Sequence, residues 1–127
     1  MPILAIDTAT MVSSVAVADE KRLLAELTVQ TRLTHSETLL PHIEKVLQLA
    51  GVKKAELTGV AVSLGPGSFT GLRIGLAAAK AISYGLNIPI FYHRKDLSYL
   101  KIFSLIPNPF HIQQYNHELV LRLIAHL

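Results

Sequence analysis

The chain of 127 residues has no cysteine and no tryptophan, and only 17% of it is charged. Without thiols it can form no disulfide, no thiolate zinc site and no cysteine nucleophile. Like charges never run to five in a row; the densest basic spots are the pairs Lys21-Arg22, Lys53-Lys54 and Arg94-Lys95. The formal net charge of +3 therefore lacks the clustering that a nucleic-acid footprint normally shows. Long apolar runs are missing too, and none reaches the roughly 18 to 20 residues that span a bilayer. The opening Met1-Pro2-Ile3-Leu4-Ala5-Ile6-Asp7 has no basic start, and a carboxylate interrupts its apolar run. It does not read as a signal peptide, so a soluble cytoplasmic protein without a membrane partner is expected. Half of the residues are apolar, which supplies one domain core and argues against disorder.

Glycine is also unevenly absent. All seven glycines lie in residues 1–90, whereas six of the eight aromatics and four of the six histidines lie in 91–127. Residues 1–90 are thus expected to form one unit and 91–127 a tail of different character. Pro107-Asn108-Pro109 breaks the tail. Beyond it, Ile112, Tyr115, Leu119 and Leu123 recur at helical spacing, which predicts a weakly amphipathic helix over 111–126.

Residues 3–7, 13–18 and 23–29 are apolar or β-friendly and are separated by short polar breaks, which predicts an antiparallel meander. The period then changes. Leu39, Ile43, Val46, Leu47 and Ala50 share one face of a helix over 35–50, with Thr34 or Ser36 to cap it and Gly51 to stop it. Residues 57–64 read as a buried strand. A Gly-rich turn follows, then a helix over 70–84 ended by Gly85, then a strand from Ile88. Strand–helix–strand order after residue 57 implies parallel pairing through a right-handed crossover.

The segment Gly65-Pro66-Gly67-Ser68-Phe69-Thr70-Gly71-Leu72-Arg73-Ile74-Gly75-Leu76-Ala77-Ala78-Ala79-Lys80 admits three chemistries. Amides at a helix start attract anions. Yet the P-loop spacing is missing, and Thr70 stands where a dinucleotide loop needs its last glycine. Ser68 is out of frame for a nucleophile elbow and fits a helix cap better. Gly71, Gly75 and Ala79 repeat every four residues. They form a smooth stripe on which a backbone can lie, either this chain's own sheet or a second protein.

The same segment resembles the signature of the TsaB/YeaZ family. Ile3-Leu4-Ala5-Ile6-Asp7-Thr8-Ala9-Thr10 with Ser14-Val15-Ala16-Val17 resembles that family's opening hairpin. His35-Ser36-Glu37-Thr38-Leu39-Leu40-Pro41-His42-Ile43 resembles its first helix. The resemblance covers about residues 2–90. It implies an α/β fold of the RNase H-like type, a five-stranded mixed sheet with flanking helices. This is one lobe of the actin, heat-shock chaperone and sugar-kinase (ASKHA) architecture.

The resemblance further implies a non-catalytic subunit. It would pair with a TsaD-type catalytic paralogue and a TsaE-type ATPase to make threonylcarbamoyladenosine at position 37 of tRNAs reading ANN codons. The tRNA would be met only through the complex, and ATP or ADP would enter only at that level, so no cofactor of its own is expected. The implied partner interface comprises His35, Leu39, Ile43, Val46, Gly71, Gly75 and Ala79, with the glycine stripe facing outward. A homodimer is the alternative when no paralogue is present. Asp7, Thr8, Thr10, Gly67 and Ser68 would mark a vestigial nucleotide or phosphate site. No catalytic or metal residue is expected: His35 is followed four residues on by Leu39, His42 by Val46, and His93 is alone in its segment. The runner-up readings are a metallopeptidase-like protein and a small phosphotransferase.

Family members run to about twice this length. Residues 91–127 do not match their continuation, which suggests a frame shift or truncation near residue 90. A single lobe forms no interlobe nucleotide cleft, and marginal stability or self-association is expected.

Overall fold

The computed structural model describes residues 1–19, 21–30 and 35–93. The apolar opening forms β1 (Ile3–Asp7), and the Ser/Val/Ala run forms β2 (Val12–Ala18). The third extended segment forms β3 (Leu23–Gln30). Asp19 makes the turn between β2 and β3: its Oδ1 accepts the backbone N–H groups of Lys21 and Arg22, both at 2.9 Å. Those two bonds, Lys21 first, hold its carboxyl below the ordinary value of 3.8.

Helical spacing after residue 35 yields α1 (His35–Ala50), which ends as the sequence predicts. Gly51 takes the left-handed conformation at φ 69°. Its N–H reaches Gln48 O at 3.2 Å, and that of Val52 reaches Leu47 O at 3.0 Å, closing a Schellman motif. The residue position that caps the start of α1 lies outside the described residues. A short 3₁₀ turn (Lys54–Glu56) leads to β4 (Gly59–Ser63), then α2 (Phe69–Leu86) and β5 (Ile90–His93).

The sheet order is β3-β2-β1-β4-β5. The β1–β2 and β2–β3 pairs are antiparallel, and β1–β4 and β4–β5 are parallel. The expected five-stranded mixed sheet is therefore present. Register decides which face each helix covers. Leu4 and Ile6 stand beside Val17 and Val15 on one side and Val60 and Val62 on the other. These six join Leu39, Ile43, Val46, Leu47 and Ala79 in one buried cluster. α1 lies over β2 and β3, and α2 lies over β4, β1 and β5. On the opposite face Ala5, Ala16 and Ala61 share one row and are also fully buried. Gly59 belongs to that face because a Cβ there would stand 3.0 Å from the Phe91 ring.

Several boundaries differ from the sequence reading: β4 is Gly59–Ser63, shorter than the expected 57–64, and the largest differences lie at the end of α2. α2 continues past Gly85 and stops at Asn87, which takes φ 53° and ψ 49°. Ile88 N–H then reaches back to Ser83 O at 3.0 Å. The extension keeps Leu86 and Ile88 packed on the core, which a stop at Gly85 would forfeit. Asn tolerates the left-handed region well enough to serve. Because Ile88 closes this cap, β5 begins at Ile90. The expected boundary at residue 90 is moved: Phe91, Tyr92 and His93 of the expected tail complete β5 beside β4. The remainder of the tail, with the helix predicted over 111–126, lies outside the described residues.

Candidate docking face and a closed loop at the end of the first strand

β1 delivers Asp7 and Thr8 to the point where the β4–α2 loop returns. Asp7 is buried, and its Oδ1 accepts the Ala9 N–H at 3.0 Å, so the carboxylate holds the β1–β2 turn. Thr8 is also buried and donates its hydroxyl to the Gly71 carbonyl at 2.6 Å. One helical turn on, a Cβ at Gly75 would run into Thr8 Oγ1. A Cβ at Gly67 would overlap the carbonyl of Ala9. That same Ala9 oxygen accepts the Ser68 N–H at 2.6 Å. Ser68 is the N-cap of α2, as its frame in the sequence predicts, with Oγ accepting Gly71 N–H at 3.3 Å. Thr10 is exposed and accepts the Val12 N–H at 3.1 Å.

Of the five residues read from the sequence as a vestigial phosphate site, Thr8, Gly67 and Ser68 meet where the β1–β2 turn touches the start of α2, beside Asp7, while Thr10 bonds Val12 within its own turn. Their donors, however, are turned to internal use. The Ser68 amide is spent on Ala9, the Gly71 amide on Ser68, and the Thr8 hydroxyl on Gly71. The glycines permit two loops to lie backbone against backbone, and the result is a lock between the β1–β2 turn and α2.

This corrects the expected partner interface. Gly71, Gly75 and Ala79 do not face outward; they are the buried residues of α2. A small-residue stripe announces a close approach, and here the approaching groups are Thr8 and Ile6 of the same chain. Leu39, Ile43 and Val46 are likewise core residues, between 0% and 3% exposed. Their side chains cover this sheet. His35 opens α1, and its side chain lies outside the described residues.

The outward faces of the two helices carry other residues. Leu40 and Leu49 on α1 are 59% and 58% exposed, and Phe69 and Tyr84 on α2 are 73% and 92% exposed. Arg73 lies over the Phe69 ring, 5.3 Å from its centroid. Between the helices runs an open cleft of about 350 Å³, lined mainly by Leu40, Ile43, Leu47, Leu57, Ile82 and Leu86. Glu44 and Lys54 rim it in an exposed ion pair at 3.5 Å, which contributes little to stability. The signal for these residues was in the sequence. Leu40, Leu49 and Tyr84 are large side chains out of phase with the buried stripe of their helices.

His42 is half-buried, with Val46 one turn away, and its Nδ1 has no hydrogen-bond partner. The side chain of His93 lies outside the described residues. Among the described residues, no group of three His, Cys, Asp or Glu side chains could hold a metal ion. Nor, among them, is any helix long and apolar enough to cross a membrane.

Comparison with known proteins agrees with this architecture. The family model described as "TsaD: tRNA N6-adenosine threonylcarbamoyltransferase" matches residues 22–92. A TsaB protein of Buchnera aphidicola from Schizaphis graminum is 44% identical over 89 residues, covering 70% of this chain and 42% of that one. The Escherichia coli TsaB is 37% identical over 90 residues, covering 71% and 38%. YeaZ from Pseudomonas aeruginosa superposes with a TM-score of 0.69 at 32% identity, covering 73% of this chain and 43% of that one. A second Pseudomonas aeruginosa structure, described as similar to "peptidase YEAZ", gives 0.70 at 31% identity, covering 84% and 49%. The Thermus thermophilus RuvC, at 0.53 and 16% identity, covers 100% of this chain and 80% of that one, and shows the RNase H-like fold alone. This chain spans about two-fifths of the length of the curated relatives it matches. The family match ends at residue 92, beside the change in composition. The chain belongs to the tRNA N6-adenosine threonylcarbamoyltransferase family, in its TsaB/YeaZ branch.

Proposed function

We propose that this chain acts in threonylcarbamoyladenosine modification of tRNA as a non-catalytic subunit that docks a TsaD-type catalytic paralogue. The observation that carries the docking is the apolar cleft between α1 and α2, with exposed Leu40 in its lining, while Leu49 and Tyr84 are exposed elsewhere on the two helices. Such a surface contributes by leaving water on association, at roughly 25 cal/mol per Å² of apolar area. The outward faces replace the buried stripe as the contact surface; Ile43 remains in reach because it lines the cleft. The lock at Thr8 ties α2 to β1, which fixes one side of this face to the sheet.

The reading as a subunit without chemistry of its own is supported by how the reactive groups are used. Asp7 holds a turn, Ser68 caps a helix and Thr8 ties α2 to β1. A metallopeptidase reading needs a metal-ligand group, and among the described residues no three His, Cys, Asp or Glu side chains form one. The TsaE-type ATPase and the tRNA would be met within the assembled complex, in the cytoplasm. Residues 91–93 belong to β5 and so to the lobe; residues 94–127 are proposed as a separate tail outside the family unit.

The test is co-purification of the chain with its TsaD-type paralogue. The wild type is expected to be retained, and Leu40→Glu with Tyr84→Glu to be lost while folding normally. Retention of that double variant at wild-type affinity would refute the surface.

A further inference from the structure

The sheet is buried on both faces, yet its two helices lie on one. α1 and α2 pack on the face of Leu4, Ile6, Val15, Val17, Val60 and Val62. The other face runs through Ala16 and Ala18 of β2, Ala5 of β1, Ala61 of β4 and Phe91 of β5. Each of these is at most 2% exposed, and that burial is of one chain by itself. A sheet face left bare puts its side chains into water, so something covers this one. Among the described residues no helix packs on this side. The cover also has a direction. Phe91, beside the point where the chain leaves β5, is buried, whereas Glu26 and Thr28, on the same face of β3 at the far edge, are exposed. Residue 20 and residues 31–34 join elements at the β3 side, where cover is missing. From β2 to β5 the buried width is about 14 Å, three strand spacings, which those short connections do not cross.

We propose that this second face is the docking site of the chain's own residues 94–127, which fold back over it from β5 as far as β2. The sequence of that segment suits the task. Ile112, Tyr115, Leu119 and Leu123 form one apolar stripe at helical spacing. A helix over 111–126 measures about 24 Å at about 1.5 Å per residue, enough to cross the buried width. The face offers the matching relief. Ala16, Ala5 and Ala61 stand in one row with small side chains, which leaves depth for large ones above them. The tail thus acts as a covering layer for the lobe, although its sequence lies beyond the family match, which ends at residue 92. It sits on the side of the sheet away from the α1–α2 cleft, so the proposal does not rest on the proposed function.

The test is thiol reactivity in the full chain, which has no cysteine of its own. Ala61→Cys reports the second face, Val62→Cys the face under α2, and Thr28→Cys the uncovered strand. A water-soluble disulfide reagent should reach the first two roughly a hundredfold more slowly than Thr28→Cys, because buried sites react only through openings. Leu119→Asp with Leu123→Asp puts charges into the covering layer. It should speed Ala61→Cys by about tenfold or more and leave Val62→Cys unchanged. Equal exposure of both sites by those charges means that the lobe has unfolded, and the milder Leu119→Ala then decides by the same comparison. Ala61→Cys reacting as fast as Thr28→Cys with the tail unaltered would overturn the proposal. So would an Ala61→Cys that stays protected in the tail variants, or one that never parts from Val62→Cys.

Discussion

Two glycines in α2 should respond oppositely to the same substitution. Gly85→Ala adds a methyl group where nothing lies within 4 Å. Removing glycine from a helix interior then contributes up to about 1 kcal/mol of stability. Gly75→Ala gains the same propensity term but drives its Cβ into Thr8 Oγ1. Thr8 cannot turn aside freely, because it is buried on β1 and its hydroxyl is bonded to Gly71 O at 2.6 Å. Either that bond breaks, at about 1 kcal/mol, or α2 lifts from the sheet, at roughly 1–3 kcal/mol for overpacking. The net expectation is a loss of about 1–2 kcal/mol for Gly75→Ala. Urea denaturation followed by circular dichroism reads both. With a slope of about 1.5 kcal/mol per molar, the midpoints should separate by roughly 1–2 M. Thr8→Ala added to Gly75→Ala removes the obstructing oxygen and should recover part of the loss. Equal stabilisation by the two glycine substitutions would refute the internal lock.

Other perturbations probe the same construction. Gly67→Ala pushes a methyl group into the Ala9 carbonyl, which belongs to backbone, and should lower stability by about 1–3 kcal/mol in the same urea assay. Ser68→Ala removes the N-cap of α2 and should cost about 1 kcal/mol, read as a lower thermal midpoint. Gly51→Ala forces an alanine into φ 69° at the end of α1 and should cost roughly 1 kcal/mol, with Gly51→Asn milder. The Asp19 carboxyl should titrate below 3.8 by NMR, because its charged form accepts the Lys21 and Arg22 amides. Its contribution to the β2–β3 turn is therefore present above its unfolded pKa and fades only as pH falls through the lower folded value.

The periodicity of the sequence was enough for the meander, both helices and the parallel β4–α2–β5 unit, because each had a clean spacing and a turn signal. The Ser68 cap and the Gly51 stop were legible for the same reason. Gly85 misled, since a glycine near a helix end looks like a stop. What decided the end was Leu86 packing on the core, a tertiary gain that outweighed the local signal. The stripe Gly71-Gly75-Ala79 was legible as a place of close approach and illegible as to what approaches. The answer was Thr8, a residue 63 positions before its acceptor Gly71, and no local pattern contains that pairing. The outward face escaped notice because attention went to the residues in phase, while Leu40 and Tyr84 lie out of phase.

The most direct test of the docking account is the affinity of the TsaD-type paralogue for the wild-type chain and for two variants, by calorimetry. Leu40→Glu with Tyr84→Glu should lose roughly a hundredfold or more, since charges would be buried without partners. Ala77→Ser, a small change at another exposed position of α2, should bind within a few-fold of the wild type. Undiminished binding by the charged double variant, with its fold intact, would contradict the claim that the outer faces of α1 and α2 receive the partner.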